Sequence, residues 1–227
     1  MKALDLGCGR AAPSIFLRRE FGVQVWATDL WFSAAENIQR VRDAGVEDGV
    51  FPLSADARSL PFAPDFFDVI LCVDSMSYFG TDDLLNYIAR FVKPGGAVGV
   101  AGAGLMREIE GSPPDHLGEW WTHDLWCLHS AAWWHRHWER TGITDVDVAD
   151  TMPNGWQVWL DWQRAVAPDN AAEIKALEAD RGIYLGYVRL VGHRNGHTTL
   201  NRSHCVLTSA VHEEAFAPPR RVMICSK

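Results

Sequence analysis

No stretch of this sequence approaches the ~20 consecutive apolar residues of a membrane-spanning helix, although 48% of its 227 residues are hydrophobic. The first residues lack the basic and apolar regions of a secretory leader. There is no dense Lys/Arg tract, and the formal net charge is −8, which disfavours non-specific attachment to nucleic acid. The five cysteines (Cys8, Cys72, Cys127, Cys205 and Cys225) are odd in number and show no CxxC spacing. They read as reduced thiols of a cytoplasmic protein rather than a disulfide framework. No Cys/His pair has the spacing of a zinc site. His135 and His137 would diverge on a helix, and the Gly196 beside His193 and His197 argues against a helix there, so no metal is expected. Internal repeats and low-complexity segments are also missing.

What remains is an alternation of strand and helix signals. "KALDL" reads as a buried strand, and "PSIFLRREF" as a helix stopped by Gly22. "VQVWATD" is a second strand. "SAAENIQRVRDAG" is a helix with Ser33 and Glu36 as a capping box and Gly45 at its end. "VFPLS" and "FDVILCVD" are strands three and four. "DDLLNYIARFV" is helical, "KPGG" a turn and "AVGVAG" a fifth strand. This order predicts a parallel sheet with helices on both faces.

From 104 to 142 the sequence reads as helical and rich in Trp and His. "SAAWWHRHWERTG" is a helix with Ser130 as N-cap and Gly142 as its stop. "ITDVDVADTM" suits an edge strand. "GWQVWLDWQRAV" and "DNAAEIKALEADRG" are helices, and "IYLGYVRLVGHR" is the last strand. The expectation is one domain over 1–194, with helical cap insertions at 104–142 and 153–183. An extension over 195–227 has no readable structure.

Glycine-rich chemistry opens the chain. Gly7 and Gly9 sit where the first strand becomes a helix, so the backbone can turn sharply and approach a ligand. "GCGRAA" satisfies the G-x-G-x-x-A form of a dinucleotide site, which makes a nicotinamide oxidoreductase one reading. The acidic residues argue otherwise. Asp5 ends the first strand, Asp29 ends the second 20 residues after Gly9, and Asp56 in "ADA" ends the third. All three lie at carboxyl ends of strands, where open α/β sheets bind ligands. Such a rim repels a pyrophosphate and welcomes a ligand with an amino group, a ribose, an adenine and a cationic sulfur.

With these motifs the sequence resembles a class I S-adenosylmethionine-dependent methyltransferase of the UbiE-like, small-molecule kind. "LDLGCG" is similar to the family's first motif. Asp29 matches its acidic second-strand residue, and "ADARSLPF" its adenine-side segment. "FDVILCVDSMSYF" matches strand four with the substrate-facing loop, and "FVKPGGAVGVAG" the turn into strand five. The resemblance implies a Rossmann-like seven-stranded sheet, mostly parallel with an antiparallel last strand. It implies S-adenosyl-L-methionine as cofactor, held by Asp5, Gly7, Gly9, Asp29, Leu30, Asp56, Ala57 and Val73. It also implies in-line methyl transfer to O, N or C of a small molecule. Many relatives carry helices before the first strand. Their lack here suggests either a start upstream or another covering segment.

Nine of the 11 Trp fall between Trp120 and Trp162. Most are expected to bury a cap on the sheet, with Trp126, Trp134 and Tyr78 as candidate substrate contacts. His129 and Tyr78 are the candidate bases, should the acceptor need to lose a proton. The expected partner is a small-molecule substrate, with no nucleic acid or membrane, and a homodimer stays open. A protein methyltransferase and a non-catalytic cofactor-binding or regulatory protein are the rival readings.

Overall fold

The computed structural model describes residues 1–78 and 84–196. Seven strands form one sheet: β1 (Lys2–Leu6), β2 (Gln24–Asp29), β3 (Val50–Ser54), β4 (Phe67–Val73), β5 (Val92–Leu105), β6 (Thr144–Thr151) and β7 (Leu185–Arg194). Their order across the sheet is β3-β2-β1-β4-β5-β7-β6. The pairs β1–β2, β2–β3, β1–β4 and β4–β5 are parallel, and β7 runs antiparallel to both β5 and β6. This is the expected Rossmann-like sheet with its reversed last strand, and β6 is an edge.

The helices are α1 (Ala12–Phe21), α2 (Ala34–Asp43), α3 (Leu84–Ile88), α4 (Ala131–Thr141), α5 (Gly155–Val166) and α6 (Ala171–Asp180). Local chemistry sets their ends. Gly22 closes α1 in the left-handed region at φ 66°. Ser33 and Glu36 cap α2 reciprocally. Ser130 Oγ accepts from Trp133 N–H, and Gly142 ends α4 at φ 65°.

The pleat sends alternate residues of β1 to opposite faces. Leu4 and Leu6 join Phe67, Ile70, Val100, Trp134, Trp138 and Leu190 in one core, while Ala3 joins Val25, Val41 and Val50 in the other. A third cluster, around Leu117, Trp121, Trp159, Leu160 and Leu177, forms beside the far end of β5 and β7.

Three segments differ from expectation. "KPGG" does not precede strand five but lies inside it. Val92 already pairs with Phe67, and pairing resumes at Ala97 with Val69. Gly95 at φ 75° absorbs the extra residues as a bulge. The span 104–142 is not helical throughout. Before α4 it holds only short 3-10 turns at Asp115–Leu117 and His123–Cys127, because Gly111, Pro113, Pro114 and Gly118 interrupt helical hydrogen bonding. The helix read in "DDLLNYIARFV" is cut to α3 and a 3-10 turn at Ala89–Phe91. Its first two residues, and the extension from residue 197 onward with His197, Cys205 and Cys225, lie outside the described residues.

Candidate functional site

The turn after β1 is held from three directions. Gly7 and Cys8 N–H both donate to the Thr28 carbonyl at 2.9 Å. Gly9 N–H donates to Asp29 Oδ2 at 2.8 Å, and Asn37 Nδ2 on α2 donates to the Gly9 carbonyl at 2.9 Å. Gly7 and Gly9 have φ 71° and 55°, conformations that cost a side chain about 1–2 kcal/mol. The loop is therefore preformed.

Three carboxylates follow one another along the carboxyl ends of β3, β2 and β4: Asp56, Asp29 and Asp74. They line one cavity of about 260 Å³, close to the small end of ligand sites. Asp29 is 9% exposed. Its Oδ1 accepts from Trp31 and Phe32 N–H at 2.8 and 2.9 Å. With Gly9, three of a carboxylate's roughly four acceptor positions are taken, leaving room for one more strong bond rather than two. Asp56 is gripped by Arg58 through Nε and Nη2, and that guanidinium holds its carboxyl below the usual range. Across the mouth, Trp31 meets Tyr78 edge to face at 4.8 Å.

Of the residues singled out by sequence, Gly7, Gly9, Asp29, Leu30, Asp56, Ala57 and Tyr78 line this cavity. Asp5 and Val73 are not on its wall. Asp5 is buried beneath the loop, and Val73 is 42% exposed at the end of β4. The structure does not bring His129, Trp126 or Trp134 to the cavity. His129 lies flat on Trp133 at 3.6 Å, and its Nδ1 is 3.2 Å from Glu108 Oε2. The same carboxylate accepts from Ser130 N–H at 2.7 Å, so the trio secures the start of α4. Trp134 is 1% exposed in the sheet core, and Trp126 packs on Trp121. The reason is placement: α4 flanks the sheet beside β6 and β7 and does not cover the cavity.

Sequence reading passed over Asp74, Ser75, Trp31 and Arg58. Asp74 carried a usable signal, since it ends an apolar strand just as Asp29 and Asp56 do. Ser75 Oγ donates to the Leu6 carbonyl at 2.9 Å and ties the ends of β4 and β1 together.

The methyltransferase domain family matches residues 3–96, the span holding β1 to β4 and all of this cavity. Over that span the chain is similar to methyltransferases that use S-adenosylmethionine. Methyltransferase GfsG of Streptomyces halstedii is 37% identical over 102 residues, which are 44% of this chain and 37% of GfsG. The 27-O-demethylrifamycin SV methyltransferase of Amycolatopsis mediterranei is 29% identical over 100 residues, 42% of this chain and 36% of that one. The chain thus matches little more than a third of the length of these relatives. Among solved structures, geranyl diphosphate C-methyltransferase of Streptomyces coelicolor superposes with a TM-score of 0.69 at 19% identity, covering 85% of this chain and 70% of that one.

Beneath this cavity, Asp5 has a physical signature of its own. It is 1% exposed. Oδ2 accepts from Ser14 Oγ at 2.6 Å, and Oδ1 has no hydrogen-bond partner. Burial, with a smaller push from Asp29, raises its carboxyl to about 6, despite the Ser14 bonds. The folded state therefore holds this proton more tightly than the unfolded chain. Stability from this group is present below pH 4 and is lost as pH rises to about 6, on the order of 3 kcal/mol in all. Asp5→Asn is expected to melt above the native protein at pH 8, with the advantage vanishing near pH 4. Equal melting curves for the two proteins from pH 4 to 8 would contradict this.

Proposed function

We propose that this protein transfers a methyl group from S-adenosyl-L-methionine to a small molecule, with a hydroxyl oxygen as the favoured acceptor. The observation that carries the reading is the row of carboxylates on strand ends beside a preformed glycine turn. Asp29 would take a ribose hydroxyl, and Asp56 would share its charge between Arg58 and the adenine amino group. Gly7 and Gly9 leave the backbone bare for close approach, and Ala57 and Leu30 supply apolar contact. A nicotinamide cofactor fits this lining poorly, because with its adenosine ribose at Asp29 its pyrophosphate would run toward the carboxylate of Asp74. The preference for oxygen rests on the relative whose name gives an O-demethyl substrate.

When bound, S-adenosylmethionine supplies a methyl group already activated on a sulfonium. The chain's own residues then position the acceptor, which can supply much of the rate. Tyr78 stands where the acceptor would enter. Burial pushes its phenol up, and Asp74 and Glu173 add to that. It stays protonated at neutral pH, so it orients an acceptor as a hydrogen-bond donor and does not act as the base. His129 does not line the cavity, and with Glu108 it has a capping role in this reading.

The test has two steps. Calorimetric titration should show micromolar binding of S-adenosylmethionine and none of NAD+. Radiolabelled methyl should then pass into a member of a panel of hydroxylated natural products. Binding of NAD+ instead would return the oxidoreductase reading. Cofactor binding with no transfer to hydroxylated, amino or protein acceptors would favour a non-catalytic binding protein.

A further inference from the structure

We propose that the Asp74 carboxylate faces the reacting sulfur, so that the cavity distinguishes the charged sulfonium nucleoside from its neutral thioether product. This rests on the cofactor reading above. In the sheet, β4 stands two places from β2, and neighbouring strands lie about 4.8 Å apart. With the nucleoside held at Asp29 and Asp56, the amino-acid end of the cofactor extends toward β4. There Asp74 lies on the cavity wall beside Ser75 and Tyr78.

Its backbone is fixed in an uncommon conformation. Asp74 adopts φ 55° without being glycine, and its N–H donates to the Ala101 carbonyl at 2.7 Å. Tyr187 Oη, from β7, donates to Oδ1 at 3.2 Å. A strained residue braced by two other strands is held for its side chain. That side chain has no pairing with lysine or arginine among the described residues. The titratable groups that face it are Cys72 on β4, Tyr78 after β4, Tyr187 on β7 and Glu173 on α6, none of them cationic. The side chain reaches solvent through the cavity mouth, yet its walls withhold enough water for burial to push its carboxyl up. The Glu173 charge adds to this, while Tyr187 and the Ala103 backbone oppose it. A carboxylate so placed is best compensated by a cation that enters the cavity.

The chemistry provides one that disappears. On transfer the carbon–sulfur bond breaks, its electron pair stays on sulfur, and the methyl bonds to the acceptor oxygen, whose proton leaves to solvent. The sulfur thereby loses its charge, and with it the attraction of Asp74, which favours release of the product.

The experiment is calorimetric titration of the full chain with S-adenosylmethionine and with S-adenosylhomocysteine, across the whole pH range in which the protein stays folded. Asp74→Asn is expected to weaken the sulfonium ligand about tenfold more than the thioether. In the native protein the ratio of the two affinities should rise with pH as Asp74 ionises. The rise should be much smaller in Asp74→Asn, where Asp5 beneath the loop is the carboxylate that still ionises. In Tyr187→Phe the rise should move to higher pH, since the lost hydrogen bond favoured the carboxylate. Asp74→Glu, which keeps the charge, should retain the pH-dependent ratio and guards against a folding defect in the Asn variant. Equal weakening of both ligands would place the carboxylate on the ammonium that they share, and overturn the proposal. An unchanged ratio in Asp74→Asn would overturn it as well. Failure of the native protein to bind either nucleoside would overturn the cofactor reading beneath it.

Discussion

Asp29→Ala is expected to lose the cofactor and part of the fold together. Calorimetry should show binding of S-adenosylmethionine weakened by at least about a hundredfold, and thermal melting should show a loss of order 2–4 kcal/mol. The reason is that the carboxylate does two things. It offers one acceptor position to the cavity, and it accepts from the N–H groups of Gly9, Trp31 and Phe32. Hydrogen bonds to a charged acceptor are worth more than neutral ones, and donors left unpaired in a 9%-exposed site carry a further penalty. Asp29→Asn separates the two roles. Its remaining carbonyl can still accept from Trp31 and Phe32, while its amide cannot accept from Gly9. It should keep most of the stability and still lose most of the affinity. If Asp29→Ala melted and bound like the native protein, the preformed loop would not depend on this residue.

The second large effect should appear far from the cavity. Trp134→Ala is expected to destabilise the protein by about 3–5 kcal/mol in urea unfolding, the cost of an aromatic cavity in a packed core. Trp134 is 1% exposed and stands edge-on to Trp133 at 4.9 Å, among the sheet residues that include Phe67 and Leu190. Trp126→Ala should cost less than about 1 kcal/mol, since its side chain is 42% exposed. At a temperature where both variants are folded, neither should alter cofactor affinity, because neither ring reaches the cavity. A Trp134 variant that stays fully stable while losing ligand binding would restore it to the substrate wall.

These two residues mark where reading the sequence succeeds and where it stops. Asp29 was legible because its signal is local: an acidic residue closing an apolar strand, at a set distance from a glycine turn. Capping chemistry is local in the same way. Ser33 with Glu36, and Ser130 with Gly142, bound their helices as their spacing implies. Trp134 was not legible as core, because adjacent Trp133 and Trp134 differ only in which side of α4 meets the sheet. That depends on where α4 docks.

The order of strands and helices, the turn at Gly7 and Gly9, and the acidic strand ends belong to the sequence by itself. Each follows from spacing along a few residues. That the carboxyl groups of Asp56, Asp29 and Asp74 share one cavity is a tertiary fact, set by the order β3-β2-β1-β4. So is the bond from Tyr187 to Asp74, which joins residues 113 apart in the chain. So too is the burial of Asp5 over Ser14, which raises its carboxyl. Water exclusion and long-range contacts arise only when the sheet closes against its helices, and no local pattern of residue types encodes where they fall.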